Sequence, residues 1–260
     1  MFSWLRNRRR RRWQEEGLPK ETRAWLHGLR VLRDLDADEL RKLEGYTRVF
    51  LEEKHFEGCG GLEMSDKIRV VIAAQAALLV LGLDPDWYWR VRSVLVYPST
   101  FRNRMEWLDE AGVVRREDAA NLGEAWPDGP VVLAWDAAYH GGRAEDDGFN
   151  TVLHEFAHKL DMLDDDTDGL PPVPAARRER WQELLEGAYD EVCDDLDVGR
   201  RPFLDDYAAT NPAELFAVAV ESFFERPRRM RRAMPEFYAM LTEFFAQDPA
   251  ERRARRLARR

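Results

Sequence analysis

Apolar residues recur every three or four positions through residues 19–54, where Leu26, Leu29, Leu32, Leu35, Leu40 and Leu43 stand among charged side chains. That period puts them on one face of amphipathic helices, and the acidic cluster from Asp34 to Asp38 predicts the break between two of them. Ser65 and Asp66 then lead into Lys67-Ile68-Arg69-Val70-Val71-Ile72-Ala73-Ala74, the pattern of a capped and largely buried helix ending near Gly82. The N-terminal third therefore reads as helical scaffold. The pattern shortens at Val91–Tyr97 and Val131–Trp135, β-branched runs bounded by Pro98 and by Pro127-Asp128-Gly129-Pro130, which predicts strands. Residues 107–116 fit a strand, a hairpin or an irregular loop, and residues 137–147 read as a loop rich in glycine and acid. Helical character returns over 149–162 and must stop before Pro171, Pro172 and Pro174. An amphipathic helix is expected over 175–197, and Pro212 and Pro235 each open an apolar helix, the second being the last.

Composition narrows the class. With 260 residues, 45% apolar and 11% aromatic, the chain can bury a substantial core. We expect one domain over residues 18–250, flanked by a basic N-terminal tail (1–17) and a basic C-terminal tail (251–260). Six arginines fall in residues 1–12 and six in 252–260, with no acid in either stretch. Residues 13–251 thus hold 28 basic against 49 acidic side chains, a net of about −21. The arginine runs are expected to be solvated, as like-charge termini usually are. The acidic body would repel phosphate backbones, so no nucleic acid is expected on the core, but it would tolerate a divalent cation. Cys59 and Cys193 are too few for a disulfide framework or a cysteine zinc site. The N-terminal Met-Phe-Ser-Trp-Leu has no signal core, and Val70–Leu83 is too short to span a bilayer. A cytoplasmic chain without a membrane partner is the expectation.

The chemistry lies in Val152-Leu153-His154-Glu155-Phe156-Ala157-His158-Lys159-Leu160-Asp161, an H-E-x-x-H pattern on a predicted helix after a predicted strand. Residues four apart share a helix face, so His154 and His158 can converge on one cation. Zinc, one ion per chain, suits two imidazoles and a third ligand, leaving a position for water. Glu155, about 100° around the helix from His154, can reach that water as general base. Asp164 is one candidate third ligand, but the turn it would need has Asp161 where a glycine is favoured. The better candidates follow Asn211-Pro212, a strong helix start, where Glu214 and Glu221 lie seven residues apart on one face. They suggest a ligand and a carboxylate behind a ligand. Glu214 alternatively closes a capping box with Asn211, and Glu221 alternatively pairs with a basic side chain. Asp161, three residues after His158, could hold an imidazole N–H. His140 could contact substrate, or be an exposed loop histidine. The strand Val131–Trp135 could be the edge on which an extended peptide pairs, or an internal strand.

Residues 148–161, Tyr207-Ala208-Ala209 with Pro212-Ala213-Glu214, and Glu221-Ser222-Phe223-Phe224 together resemble the Mlc titration factor A family of bacterial zinc peptidases. The resemblance implies an α+β, zincin-like fold: a helical N-terminal part, a small mixed sheet, the H-E-x-x-H helix and C-terminal helices. It implies zinc on His154, His158 and Glu214, Glu155 as base, Tyr207 as the hydroxyl steadying an oxyanion, and aminopeptidase-like action on peptides. In enteric bacteria it also implies binding to a transcription repressor of Mlc type. The rival expectation is a regulatory binding protein that sequesters such a repressor and uses zinc structurally. A third is a latent enzyme with its metal covered by a tail or loop.

Overall fold

The computed structural model describes residues 2–108, 114–121, 123–125, 129–144 and 146–259, with the side chains of residues 2, 3, 101–108, 114–121 and 124 left aside. Helices dominate. The N-terminal part holds α1 (Phe2–Glu16), α2 (Lys20–Arg23) and α3 (Ala37–Glu53), with two short 3-10 turns across Leu26–Leu32. Asp36, inside the acidic cluster, starts α3 by a capping box: its carboxylate accepts from Glu39 N at 2.9 Å, while its own N–H donates to Glu39 at 3.1 Å. α4 (Asp66–Leu79) is capped by Ser65 and apolar on nearly every side, so it is buried all round, between α3 and the helix of residues 151–161.

Four strands, β1 (His55–Gly58), β2 (Ser93–Tyr97), β5 (Gly123–Ala125) and β6 (Val131–Ala134), form a mixed sheet in the order β1-β2-β6-β5. The first three strands of that order are parallel, and β5 pairs antiparallel to β6. β6 is buried at all four positions, as a strand covered on both faces must be. It is internal. Of the two alternatives left open for Val131–Trp135, an edge for a peptide or an internal strand, the second holds, because β2 and β5 use both sides of that strand. The edge beside β6 is β5. The undecided stretch around 107–116 contributes to an antiparallel pair, β3 (Phe101–Leu108) and β4 (Val114–Asn121).

Trp135 ends no strand; it opens α5 (Trp135–Gly141), so the first half of the expected 137–147 loop is helical. Then come α6 (Thr151–Asp161), α7 (Ala175–Asp197), α8 (Pro212–Glu225), α9 (Pro227–Ala233), α10 (Pro235–Phe245) and α11 (Pro249–Ala258). Four of the last five carry proline in the first turn, where the missing N–H costs nothing. α10 is not the last helix, as expected from the sequence, because Asp248-Pro249 starts another. The chain is thus α+β and zincin-like, with a small mixed sheet. No helix among the described residues is long and apolar enough to cross a membrane.

The arginine runs lie on helices, and although most of their side chains are exposed, several are tied to the body. α1 packs along α3, where Gly45 lets the backbone of Gln14 approach so closely that a β-carbon would stand 2.7 Å from its carbonyl oxygen. Arg10 is buried and grips Glu53 with two bonds of 2.6 Å while also contacting Asp86. At the other end Arg252 donates to Glu39 at 2.7 Å, Arg253 to Asp34 at 2.7 Å, and Arg256 to the same Asp34. The body's acid excess supplies carboxylates that outweigh the repulsion within each run. Removing one member of such a buried pair strands the other, so Arg10→Met is expected to lower unfolding free energy by about 2–3 kcal/mol. Urea titration reads this directly, and a change within about 0.5 kcal/mol would mean α1 is a free tail.

Candidate metal centre

Asn150 ends the loop before α6 and caps it, its Oδ1 accepting from Leu153 N at 3.1 Å. The helix is pinned from below by Phe156, whose ring meets Phe50 of α3 and Tyr88 edge-on at centroid distances of 5.5 and 5.1 Å. Its buried Lys159 donates to Gly129 O at 2.9 Å, tying the helix to the turn before β6. With that face buried, His154 and His158 project together one turn apart, their Nε2 atoms 3.2 Å from each other.

α8 packs across α6 and delivers the third group. Asn211 caps it by accepting from Glu214 N at 3.0 Å, but the Glu214 carboxylate does not complete a capping box. Its Oε2 instead lies 3.0 Å from His154 Nε2 and 3.3 Å from His158 Nε2. A tetrahedral zinc about 2.0–2.1 Å from each ligand requires ligand separations of roughly 3.3 Å, so the triangle has the size the ion needs. The protonation chemistry agrees. Glu221 Oε1 sits 2.8 Å from His154 Nδ1, which makes that nitrogen a donor, so the contact of Nε2 with Glu214 is favourable only with a proton or a metal ion between them. Such a set wants a cation. Among the described residues, these three form a group whose ligand atoms all lie within 4.8 Å of one another.

Burial disfavours a charged His154, yet hydrogen bonds to Glu214 and Glu221 outweigh it and hold the imidazole well above its usual range. His158 is pushed down by burial and keeps a lone pair at neutral pH. Burial would raise Glu214, but its bonds to both imidazoles hold it far below the usual carboxylate range. The ligands thus favour the ionised carboxylate and at least one neutral ring.

Glu155 is buried on the β5 side of α6, close against Gly123. Tyr207 sits in a 3-10 turn (Asp206–Ala209) just before α8, half exposed, its ring centroid 6.0 Å from that of His154. Burial, with Glu214 and Glu155 nearby, pushes its hydroxyl up to about 12, so it is protonated and can donate at neutral pH. Asp161 is fully buried, but its Oδ2 accepts from Gly169 N at 3.0 Å and no bond joins it to an imidazole; burial pushes it up to about 7. Among the described residues, the carboxylate bonded to a cluster histidine from behind is that of Glu221. Asp164 is outside the cluster and pairs with Arg178 at 3.3 Å. His140 lies exposed in the last turn of α5 and is not brought to the cluster.

The sequence reading gave no role to the buried polar group behind Glu221. Asn150 donates its backbone N–H to Glu221, and its Nδ2 to Gln75 Oε1 at 3.0 Å and Glu225 Oε1 at 3.1 Å. Burial pushes Glu225 up to about 8. The signals were present: an Asn directly before an apolar helix, and a third carboxylate four residues after Glu221.

Residues 4–246 match the family model of the glucose-regulated metallo-peptidase M90. Among similar proteins, the uncharacterized protein slr2042 of Synechocystis sp. is 36% identical over 219 residues, covering 83% of this chain and 79% of that protein. Mlc titration factor A of Klebsiella pneumoniae is 36% identical over 225 residues, covering 85% of this chain and 84% of that protein. The Mlc titration factor A of Salmonella arizonae is 34% identical over 225 residues, covering 85% and 89%. With the match running through both helices that build the metal cluster, the chain belongs to the M90 metallopeptidase family, which it shares with Mlc titration factor A.

Proposed function

We propose that the chain is a zinc-dependent peptidase acting on short peptides from their amino ends, with one zinc held by His154, His158 and Glu214. The observation that carries this reading is the 3.0–3.3 Å triangle of two imidazole nitrogens and a carboxylate oxygen next to Glu155. When bound, zinc supplies a Lewis acid that makes water acidic near neutral pH and polarises the scissile carbonyl. Glu155 takes the proton of the attacking water and gives it to the departing amine. Tyr207, protonated at neutral pH, donates to the oxygen on which negative charge develops. Glu221 fixes the ring of His154 through Nδ1, and Asn150 fixes Glu221. The short edge strand β5, beside Glu155, is the place where an extended substrate can pair by its backbone. Support for the amino-end preference is the resemblance in residues 148–161 and 207–224.

A second role, contact with a transcription repressor of Mlc type, is supported by the name of the relatives at 34–36% identity. It is compatible with the first, since the repressor could be a binding partner that is never cleaved.

Glu155→Gln is expected to retain one zinc per chain and to lose about 10²–10⁴-fold in kcat/KM, by metal analysis and hydrolysis of amino-acyl and amino-blocked peptides. Full activity in that variant rejects the base. Equal hydrolysis of blocked peptides by the wild type rejects the amino-end preference. Glu221→Gln should weaken zinc affinity about 10–100-fold, measured by competition with a fluorescent chelator, because a ligand's hydrogen-bond partner is altered while the ligands stay. For the second role, purified Mlc-type repressor should be retained equally by wild type and Glu155→Gln; no retention by either removes that role.

A further inference from the structure

One of the strongly basic concavities on the acidic body, at its C-terminal end, is used by neither the metal cluster nor the peptide reading. A groove of about 780 Å³ lies between α9 and α11, lined by eight arginines and a single carboxylate, Asp146. On the α11 wall, Arg253 and Arg256 are partly neutralised because both bond Asp34 and Arg253 also contacts Asp146. The α9 wall is different. Arg228, Arg229 and Arg232 are exposed and take part in no ion pair among the described residues. Arg228 and Arg232 are four apart on one short helix, where like charges repel. At the head of the groove, Arg226 lies over the Phe203 ring at 4.8 Å and donates to Ser222 Oγ at 2.8 Å, while its buried Nε has no partner. Burial, and after it the neighbouring Arg229, hold the Arg226 guanidinium below its usual range, against the pull of Asp147, Glu221 and Asp205.

We propose that this groove is a binding site for a small, multiply charged phosphate anion, with Arg226, Arg228, Arg229 and Arg232 as its main ligands. Guanidinium forks match phosphate oxygens with paired hydrogen bonds, and a phosphate has enough oxygens and charge to engage both walls at once. A carboxylate, with two oxygens and one charge, engages only one fork. The size suits a small molecule, since ligand pockets usually span about 300–1,000 Å³. Length is limited by charge: a long polyanion leaving the groove would run onto a body whose residues 13–251 carry an acid excess of about 21. The anion would also relieve the repulsion within α9, so binding is expected to raise thermal stability. The arginines at the C-terminal end thereby gain a purpose beyond clamping α11, as one wall of the site.

The test is calorimetric titration of the full chain with pyrophosphate, run with and without added zinc so that capture of the ion by the probe is separated from binding to the groove. Saturable 1:1 binding is expected in both conditions, weakened by added salt. The Arg229→Glu/Arg232→Glu variant should bind at least about tenfold more weakly, since each charge-assisted bond is worth that much or more. Both side chains are exposed, so the fold is kept, and circular dichroism with a thermal melt verifies it. Arg231→Glu reverses one charge on α9, half the change of the double variant, at a residue that does not line the groove, and should bind within about twofold of the wild type. The proposal is overturned if the double variant binds normally, if Arg231→Glu is equally weakened, or if a hexaglutamate peptide binds more tightly than pyrophosphate.

Discussion

Two imidazole nitrogens and a carboxylate oxygen held at 3.0–3.3 Å repel one another unless a positive charge lies among them, and the rest of the molecule can be understood as the means of enforcing that contact. One helix must offer two rings from a single face, which needs its opposite face anchored in aromatic packing. A second must cross it with a glutamate in its first turn, which needs a sharp, capped start. Phe156 meets the first need; Asn211-Pro212 meets the second. On the far side α8 is held in turn by Phe216 against Trp181 and by Phe223 against Tyr238 and Phe245. The cost of gathering polar groups is offset by burying these aromatic faces.

The site extends inward further than its ligands. Glu221 joins His154 to Asn150, and Asn150 joins Glu221 to Gln75 of α4 and to Glu225. Arg253 of α11 in turn donates to the backbone oxygen of Glu225 at 3.3 Å. A continuous polar path therefore runs from the arginine-rich end of the chain to the imidazole of His154.

Elements with strong local signals were legible in the sequence. Ser65, Asn211-Pro212 and Pro235 mark helix starts through capping or a fixed φ, and α4, α8 and α10 begin where those residues predict, while α7 follows its amphipathic pattern. His154, His158 and Glu214 were legible because helical spacing is itself a geometric statement. What escaped was set by tertiary contact. Residues 55–58 carry His, Phe, Glu and Gly, a poor strand by composition, and become β1 only through pairing with β2. The terminal arginines look solvated in isolation, and the carboxylate partners of Arg10, Arg252, Arg253 and Arg256 lie 43 to 222 residues away. Asp161 shares the right helix face for a histidine, but the loop at Gly169 closes on it first.

Gly123 gives the least conspicuous constraint its sharpest form. A β-carbon at this position would come within 2.7 Å of the Glu155 carboxyl carbon, because the edge strand runs directly over that side chain. Strand and acid therefore occupy a clearance that accommodates hydrogen alone. Even alanine there would have to displace either the strand backbone or the carboxyl group itself, so a residue with no side chain dictates where the Glu155 carboxylate can stand.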